Sequence, residues 1–189
     1  MTVKRPLIIY LLLPGLLPLA ACSPEPPATD KEMSVPALIT AAEQGDISRV
    51  QNLLSAHDPV DGRDSCQWTP LMKAALYGHI QVADQLIKAG ARVDLVDNGG
   101  YTALMLAASN NHADLVKALL AWGANPNLQE STKGWTALIW AAKRGHLESV
   151  SALINGGATV GTIDFAGETA RSWADKNHHP QVIRLLDSS

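Results

Sequence analysis

Apolar residues along most of this chain follow short helical patterns that glycines interrupt. Leu153 and Ile154 come three and four residues after Val150, which places all three on one face of a helix. Gly145 before this pattern and Gly156 after it are typical helix stops. The spacing predicts a short helix whose apolar face must be covered by a neighbouring element.

The pattern returns about every 33 residues, and three kinds of residue mark the period. Threonines that can cap a helix recur at intervals of 33, 34 and 33 residues: Thr69, Thr102, Thr136 and Thr169. Small alanine pairs that let helices approach closely follow them: Ala74-Ala75, Ala107-Ala108 and Ala141-Ala142. Histidines come next, at His79, His112, His146 and His179. A fixed period of this length predicts a solenoid whose stacked units share one core.

The strings "WTPLMKAALYGH", "YTALMLAASNNH" and "WTALIWAAKRGH" resemble the ankyrin repeat. The resemblance implies an all-α solenoid of about five helix-turn-helix units with short β-turn tips, over residues 35–189. The units run over 35–63, 64–96, 97–130, 131–163 and 164–187. The first and last depart from the pattern as capping repeats do, and the third carries one extra residue near Glu130.

The first 21 residues differ from the rest. Lys4 and Arg5 precede a continuous apolar run, which Pro14-Gly15 and Pro18 interrupt. A membrane-spanning helix needs roughly 20 apolar residues, so this broken segment indicates a signal peptide. Its end, "LAAC", resembles the lipobox of bacterial lipoproteins, in which the cysteine thiol, here Cys22, receives the lipid.

Residues 22–34 predict a lipidated cysteine followed by a Pro-rich, disordered linker, because the segment is too polar to fold. In this family an aspartate directly after the lipidated cysteine favours retention at the inner membrane. Here that position is Ser23, so the resemblance implies the periplasmic face of the outer membrane. Several acyl chains at one residue would give firm anchoring. The expected membrane attachment is through this lipid alone.

Composition and motifs exclude several functions. The net charge is −3, with 15 basic and 18 acidic side chains and no basic stripe, so no nucleic-acid partner is expected. Two cysteines form at most one bridge, which excludes a disulfide scaffold. The histidines recur one per unit, too far apart to share a metal ion, and we expect them to brace the turns. We expect no catalytic residue, no metal, no cofactor and no small-molecule substrate.

The resemblance places the partner-binding surface on a concave face made of turn tips and first helices. The residue before the turn threonine is aromatic in three of four units, and such residues are enriched at interfaces. The predicted protein-binding residues are Trp68, Tyr77, Tyr101, Asn110, Trp135, Lys143 and Arg144. Alternatively, the aromatic rings pack on one another and stiffen the loops. Trp140 and Trp173, inside first helices, are expected in inter-repeat packing.

These observations predict a non-catalytic module in the bacterial envelope that binds another protein. Two partners remain open, and an enzymatic activity, testable by screening the purified protein for hydrolysis, is a third alternative. Some bacterial ankyrin proteins are associated with catalase and oxidative-stress defence, which implies a resident periplasmic protein. The alternative is a toxin from a rival cell, with this chain as the immunity factor. If the aromatic side chains bind, Trp135→Ala with Tyr101→Ala is expected to abolish capture and leave melting nearly unchanged.

Overall fold

The computed structural model describes residues 35–189, which form ten α-helices and, within that range, no strand. The helices alternate between two layers joined by turns. They are α1 (Ala37–Gln44), α2 (Ile47–Ser55), α3 (Pro70–Tyr77), α4 (Ile80–Lys88), α5 (Ala103–Ser109), α6 (Ala113–Ala121), α7 (Ala137–Arg144), α8 (Leu147–Asn155), α9 (Ala170–Lys176) and α10 (Pro180–Asp187). Each predicted unit holds one helix pair, and the all-helical solenoid is confirmed. The predicted signal peptide, Cys22 and linker lie outside the described residues.

The odd-numbered helices stack on one another as an inner layer, and the even-numbered helices pack behind them. Burial in the inner layer is greatest at its centre, where every residue of α5 from Ala103 to Ser109 is buried. The alanine pairs are fully buried, which allows the close helix approach that the sequence predicts. The aliphatic core continues through the stack, with Leu38 at one end and Leu186 at the other.

The turn threonines begin the inner helices as predicted. The hydroxyl of Thr69 accepts the backbone N–H of Met72 at 3.2 Å, and Thr102, Thr136 and Thr169 make the same bond. Pro70 occupies the first helical position of α3, where its missing N–H costs nothing. The capping residues therefore fix where each inner helix starts, once per repeat.

The four periodic histidines join neighbouring repeats. Nε2 of each ring lies 3.0–3.1 Å from a carbonyl of the preceding repeat; the pairs are His79–Glu43, His112–Leu76, His146–Ser109 and His179–Lys143. The predicted bracing role is confirmed, and it extends to the repeat before. Burial, with Arg144 and His179 nearby, lowers the pKa of His146 and favours its neutral ring as a donor.

The turn tips also join along the stack. Backbone N–H groups of Asn98, Ser131 and Phe165 donate to carbonyls of the preceding tip at 2.8–3.2 Å. Because these bonds and the histidine bonds all cross between repeats, successive units are coupled through polar contacts as well as through the apolar core.

Candidate protein-binding surface

The turn tips are built around acidic side chains. Oδ1 of Asp64 accepts the N–H groups of Cys66 and Trp68, both at 2.9 Å. Asp97 and Asp164 hold their own turns in the same way. These carboxylates order the tips beside the inner helices. They were not predicted, although an acid four residues before the aromatic position recurs with the 33-residue period.

Glu130 shows how the longer third repeat keeps this arrangement. The extra residue places Trp135 five residues after the acid, and the glutamate supplies an additional methylene to span the larger turn. Its Oε1 accepts the N–H groups of Lys133 and Trp135 at 2.7 and 3.1 Å. Its Oε2 accepts the N–H and the hydroxyl of Thr132. The side chain is buried, with both oxygens satisfied.

Asp164 joins the last two repeats. Its Oδ2 accepts the indole N–H groups of Trp135 and Trp173, each at 2.8 Å, and the side chain is only 5% exposed. Burial alone would raise the pKa of this carboxyl. Hydrogen bonds from the Glu168 N–H, the two indoles and the Ala166 N–H outweigh burial and lower it. A charged carboxylate is thus the acceptor on which this junction depends.

An aromatic cluster crosses the third, fourth and fifth repeats. Ring centroids of Trp135 and Trp140 are 4.6 Å apart, and those of Trp135 and Trp173 are 5.1 Å apart, both edge to face. Tyr101 contacts Trp140 at 5.9 Å. The predicted packing role of Trp140 and Trp173 between repeats is confirmed by these contacts.

Trp135 is 3% exposed, which corrects its prediction as an exposed anchor. Its ring packs between Trp140 and Trp173, and its nitrogen is bound to Asp164. Trp68 and Tyr101 are half-buried and packed against the core. Because Trp135→Ala and Tyr101→Ala would both remove ring packing, the structure favours a lowered melting temperature over the nearly unchanged one expected from the sequence. Mutual packing, the alternative considered for these rings, describes the cluster.

The other predicted residues lie at the carboxyl ends of inner helices. Tyr77 is 48% exposed, and its hydroxyl donates to Glu43 at 3.1 Å. The amide of Asn110 donates to the Leu106 carbonyl and the Ser109 hydroxyl, within its own turn. Lys143 is half-buried and Arg144 is exposed. We call the surface formed by the turn tips and these helix ends the inner face.

Positive side chains cover the aromatic cluster. The ammonium of Lys133 lies 4.4 Å from the Trp135 ring, and that of Lys143 lies 5.4 Å from the same ring. The guanidinium of Arg144 lies 5.5 Å from the Trp140 ring. Cations at these distances are attracted to the electron-rich ring faces. The buried rings thus position charged groups on the inner face.

The two neighbouring tryptophans should respond differently when phenylalanine replaces them. Trp135→Phe removes the indole donor to Asp164, and we expect a loss of about 2 to 3 kcal/mol in unfolding free energy. The buried Nε1 of Trp140 has no hydrogen-bond partner in the described residues. Trp140→Phe removes that unsatisfied donor, and we expect a change within about 1 kcal/mol of zero. Urea unfolding followed by circular dichroism measures both; equal losses would contradict the hydrogen-bond assignment.

The described residues offer no metal site and no membrane span. No group of three or more His, Cys, Asp or Glu in residues 35–189 is arranged to hold a metal ion. Each helix in that range is too short or too polar to cross a bilayer.

Comparison with known families agrees with the repeat geometry. The family model for ankyrin repeats (3 copies) matches residues 38–130 and 122–188, and the chain belongs to the ankyrin-repeat family. No curated protein matches it with significance. Family membership indicates a protein–protein interaction module, in a family whose members are typically non-enzymatic scaffolds.

Proposed function

We propose that this protein is a lipid-anchored module of the bacterial envelope that binds a periplasmic protein through its inner face. The observation that carries the proposal is that one set of polar side chains holds the solenoid together while another set is exposed on the inner face. The histidines and turn acids are occupied by bonds within the solenoid. Exposed side chains of the inner face, among them Tyr77 and Arg144, remain for contact with a partner.

Anchoring through Cys22 is supported by the basic start, the apolar stretch and the "LAAC" string. Ser23 supports the outer membrane. Cys66 is disulfide-bonded. The sequence has one other cysteine, Cys22, and one sulfur cannot form both a thioether and a disulfide. The lipidated protein therefore cannot keep a disulfide within its own chain, and lipid attachment at Cys22 and such a bridge are alternatives.

A photo-crosslinking experiment in the producing bacterium tests the proposal. p-Benzoylphenylalanine replaces Tyr77 on the inner face or, as a control, Lys117 on the outer helix α6; both positions are exposed. We expect a covalent protein adduct from position 77 and none from position 117. In the same cells, labelled palmitate should enter the wild-type chain and be lost in Cys22→Ala.

Each failure has a distinct meaning. No adduct at position 77, or equal adducts at both positions, contradicts binding through the inner face. Palmitate on Cys22→Ala, or none on the wild-type chain, contradicts the anchor. The phenotype of a deletion strain separates the partner classes, because peroxide sensitivity supports a stress-related partner. Killing by neighbouring cells supports an immunity role.

A further inference from the structure

The charges of the inner face are balanced differently at its two ends. In the second repeat, the ammonium of Lys73 lies 3.3 Å from the Glu43 carboxylate. In the fourth repeat, Lys133, Lys143 and Arg144, here called the basic cluster, have no carboxylate within ion-pair distance in residues 35–189. On the inner face, the cation near α3 is therefore paired with a carboxylate, whereas the three cations beside α7 have no ion-pair partner.

The acids in the turns that hold the aromatic cluster are already occupied. Both oxygens of Glu130 accept N–H or O–H groups of its own turn. Both oxygens of Asp164 accept backbone or indole N–H groups. Glu168 is paired with Lys176 at 2.5 Å. These three carboxylates are therefore bonded to their own turns, to indole N–H groups or to Lys176, and none is paired with the basic cluster.

The basic cluster is also held in place. The rings of Trp135 and Trp140 lie 4.4–5.5 Å from its three cationic groups, so aromatic faces fix side chains that would otherwise be mobile. Burial lowers the pKa of Lys143, and the charges of Lys133 and Arg144 lower it further. These cations repel one another, and an anion bound between them would relieve that repulsion. Prior ordering also reduces the entropy cost of binding.

We propose that the basic cluster is a docking site for an acidic segment, rich in Asp or Glu, of the partner protein. The inference rests on the proposed protein-binding function and adds the chemistry of the partner. Carboxylates form strong charge-assisted hydrogen bonds with guanidinium and ammonium groups. An extended acidic peptide is favoured over an anionic membrane surface because Lys143 is half-buried beside the tryptophans. A narrow chain reaches it better than a flat layer of headgroups does.

The test measures the binding of fluorescein-labelled decaglutamate to the purified full chain in non-ionic detergent, by fluorescence anisotropy at about 0.1 M ionic strength, where charges more than about 10 Å apart are largely screened. Lys143→Gln with Arg144→Gln should weaken binding at least about tenfold, because two charge-assisted contacts are removed. The matched control is Arg49→Gln with Arg184→Gln. It removes the same charge from exposed arginines of the outer helices α2 and α10. The control should stay within about twofold of wild type, since only distant charges change.

Three results would overturn the inference. The first is equal weakening by both double variants, which would show a response to net charge alone. The second is a Lys143/Arg144 variant that binds decaglutamate as wild type does but no longer binds vesicles of phosphatidylglycerol and phosphatidylethanolamine. That outcome assigns the cluster to a membrane surface. The third is an undiminished crosslink from position 77 in the Lys143/Arg144 variant. The partner would then dock elsewhere on the inner face, and the protein-binding function itself would stand.

Discussion

Asp164→Ala is expected to destabilise the protein by about 3 to 5 kcal/mol, because it leaves several donors without their acceptor in a buried site. The carboxylate accepts two backbone N–H groups of its own turn and the indoles of Trp135 and Trp173. An unsatisfied buried donor costs more than a hydrogen bond contributes, since water cannot replace the lost partner. Urea unfolding at neutral pH measures the loss.

Asp97→Ala is the matched control for Asp164→Ala. Asp97 holds the equivalent turn by accepting the N–H groups of Gly99 and Tyr101, but it binds no indole. We expect Asp97→Ala to lower the free energy of unfolding by about 1 to 2 kcal/mol. A loss as large as that of Asp164→Ala would show that the indole bonds contribute nothing.

The pH dependence of the Asp164→Ala loss gives a second check. The pKa of Asp164 is lowered in the folded state, so its stabilising contribution is complete above the ordinary value of 3.8. The contribution disappears as the pH falls through 3.8 toward the folded-state pKa. The difference between wild type and Asp164→Ala should therefore narrow in that acid range, and a constant difference would contradict the charged acceptor.

Gly78→Ala is expected to cost about 2 to 4 kcal/mol, from backbone strain together with the displacement of a histidine. Gly78 ends α3 in the left-handed region at φ 75°, where a side chain is unfavourable. A Cβ there would lie 2.5 Å from Nδ1 of His112. The ring would have to move away from the Leu76 carbonyl, to which it is bonded at 3.0 Å.

Gly90→Ala separates the two causes. Gly90 also has a positive φ, 93°, but a Cβ at this position meets no atom within 4 Å. Only the backbone strain remains, and we expect the free energy of unfolding to fall by about 1 to 2 kcal/mol. Denaturation of both variants, with the NMR signals of the His112 ring as the local probe, measures the difference. If the two alanines cost the same, the contact between Gly78 and His112 is unimportant.

The sequence predicted the solenoid because its signals are local and repeated. A threonine cap, an alanine pair and a glycine stop each act within one unit, and the helices start and end where these residues indicate. The unit boundaries from 35–63 to 164–187 and the binding roles of the surface residues stay predictions. So do the lipid at Cys22 and the location at the outer membrane.

Exposure of the aromatic residues could not be predicted in the same way. Trp68, Tyr101 and Trp135 share one position in the period, yet Trp135 alone is buried. The difference comes from the next repeat, which supplies Trp173 and Asp164 to cover that ring. Whether a side chain at a repeat junction is buried depends on residues of both repeats. The sequence pattern of a single repeat therefore does not predict it.

The histidine bonds between repeats all point toward the amino terminus. A polypeptide that is synthesised or exported amino end first therefore presents each acceptor carbonyl before the imidazole that will bind it. Every newly completed hairpin finds the carbonyl acceptor for its histidine already in place in the repeat before it. The solenoid is thus suited to assembly in the order in which its chain is delivered.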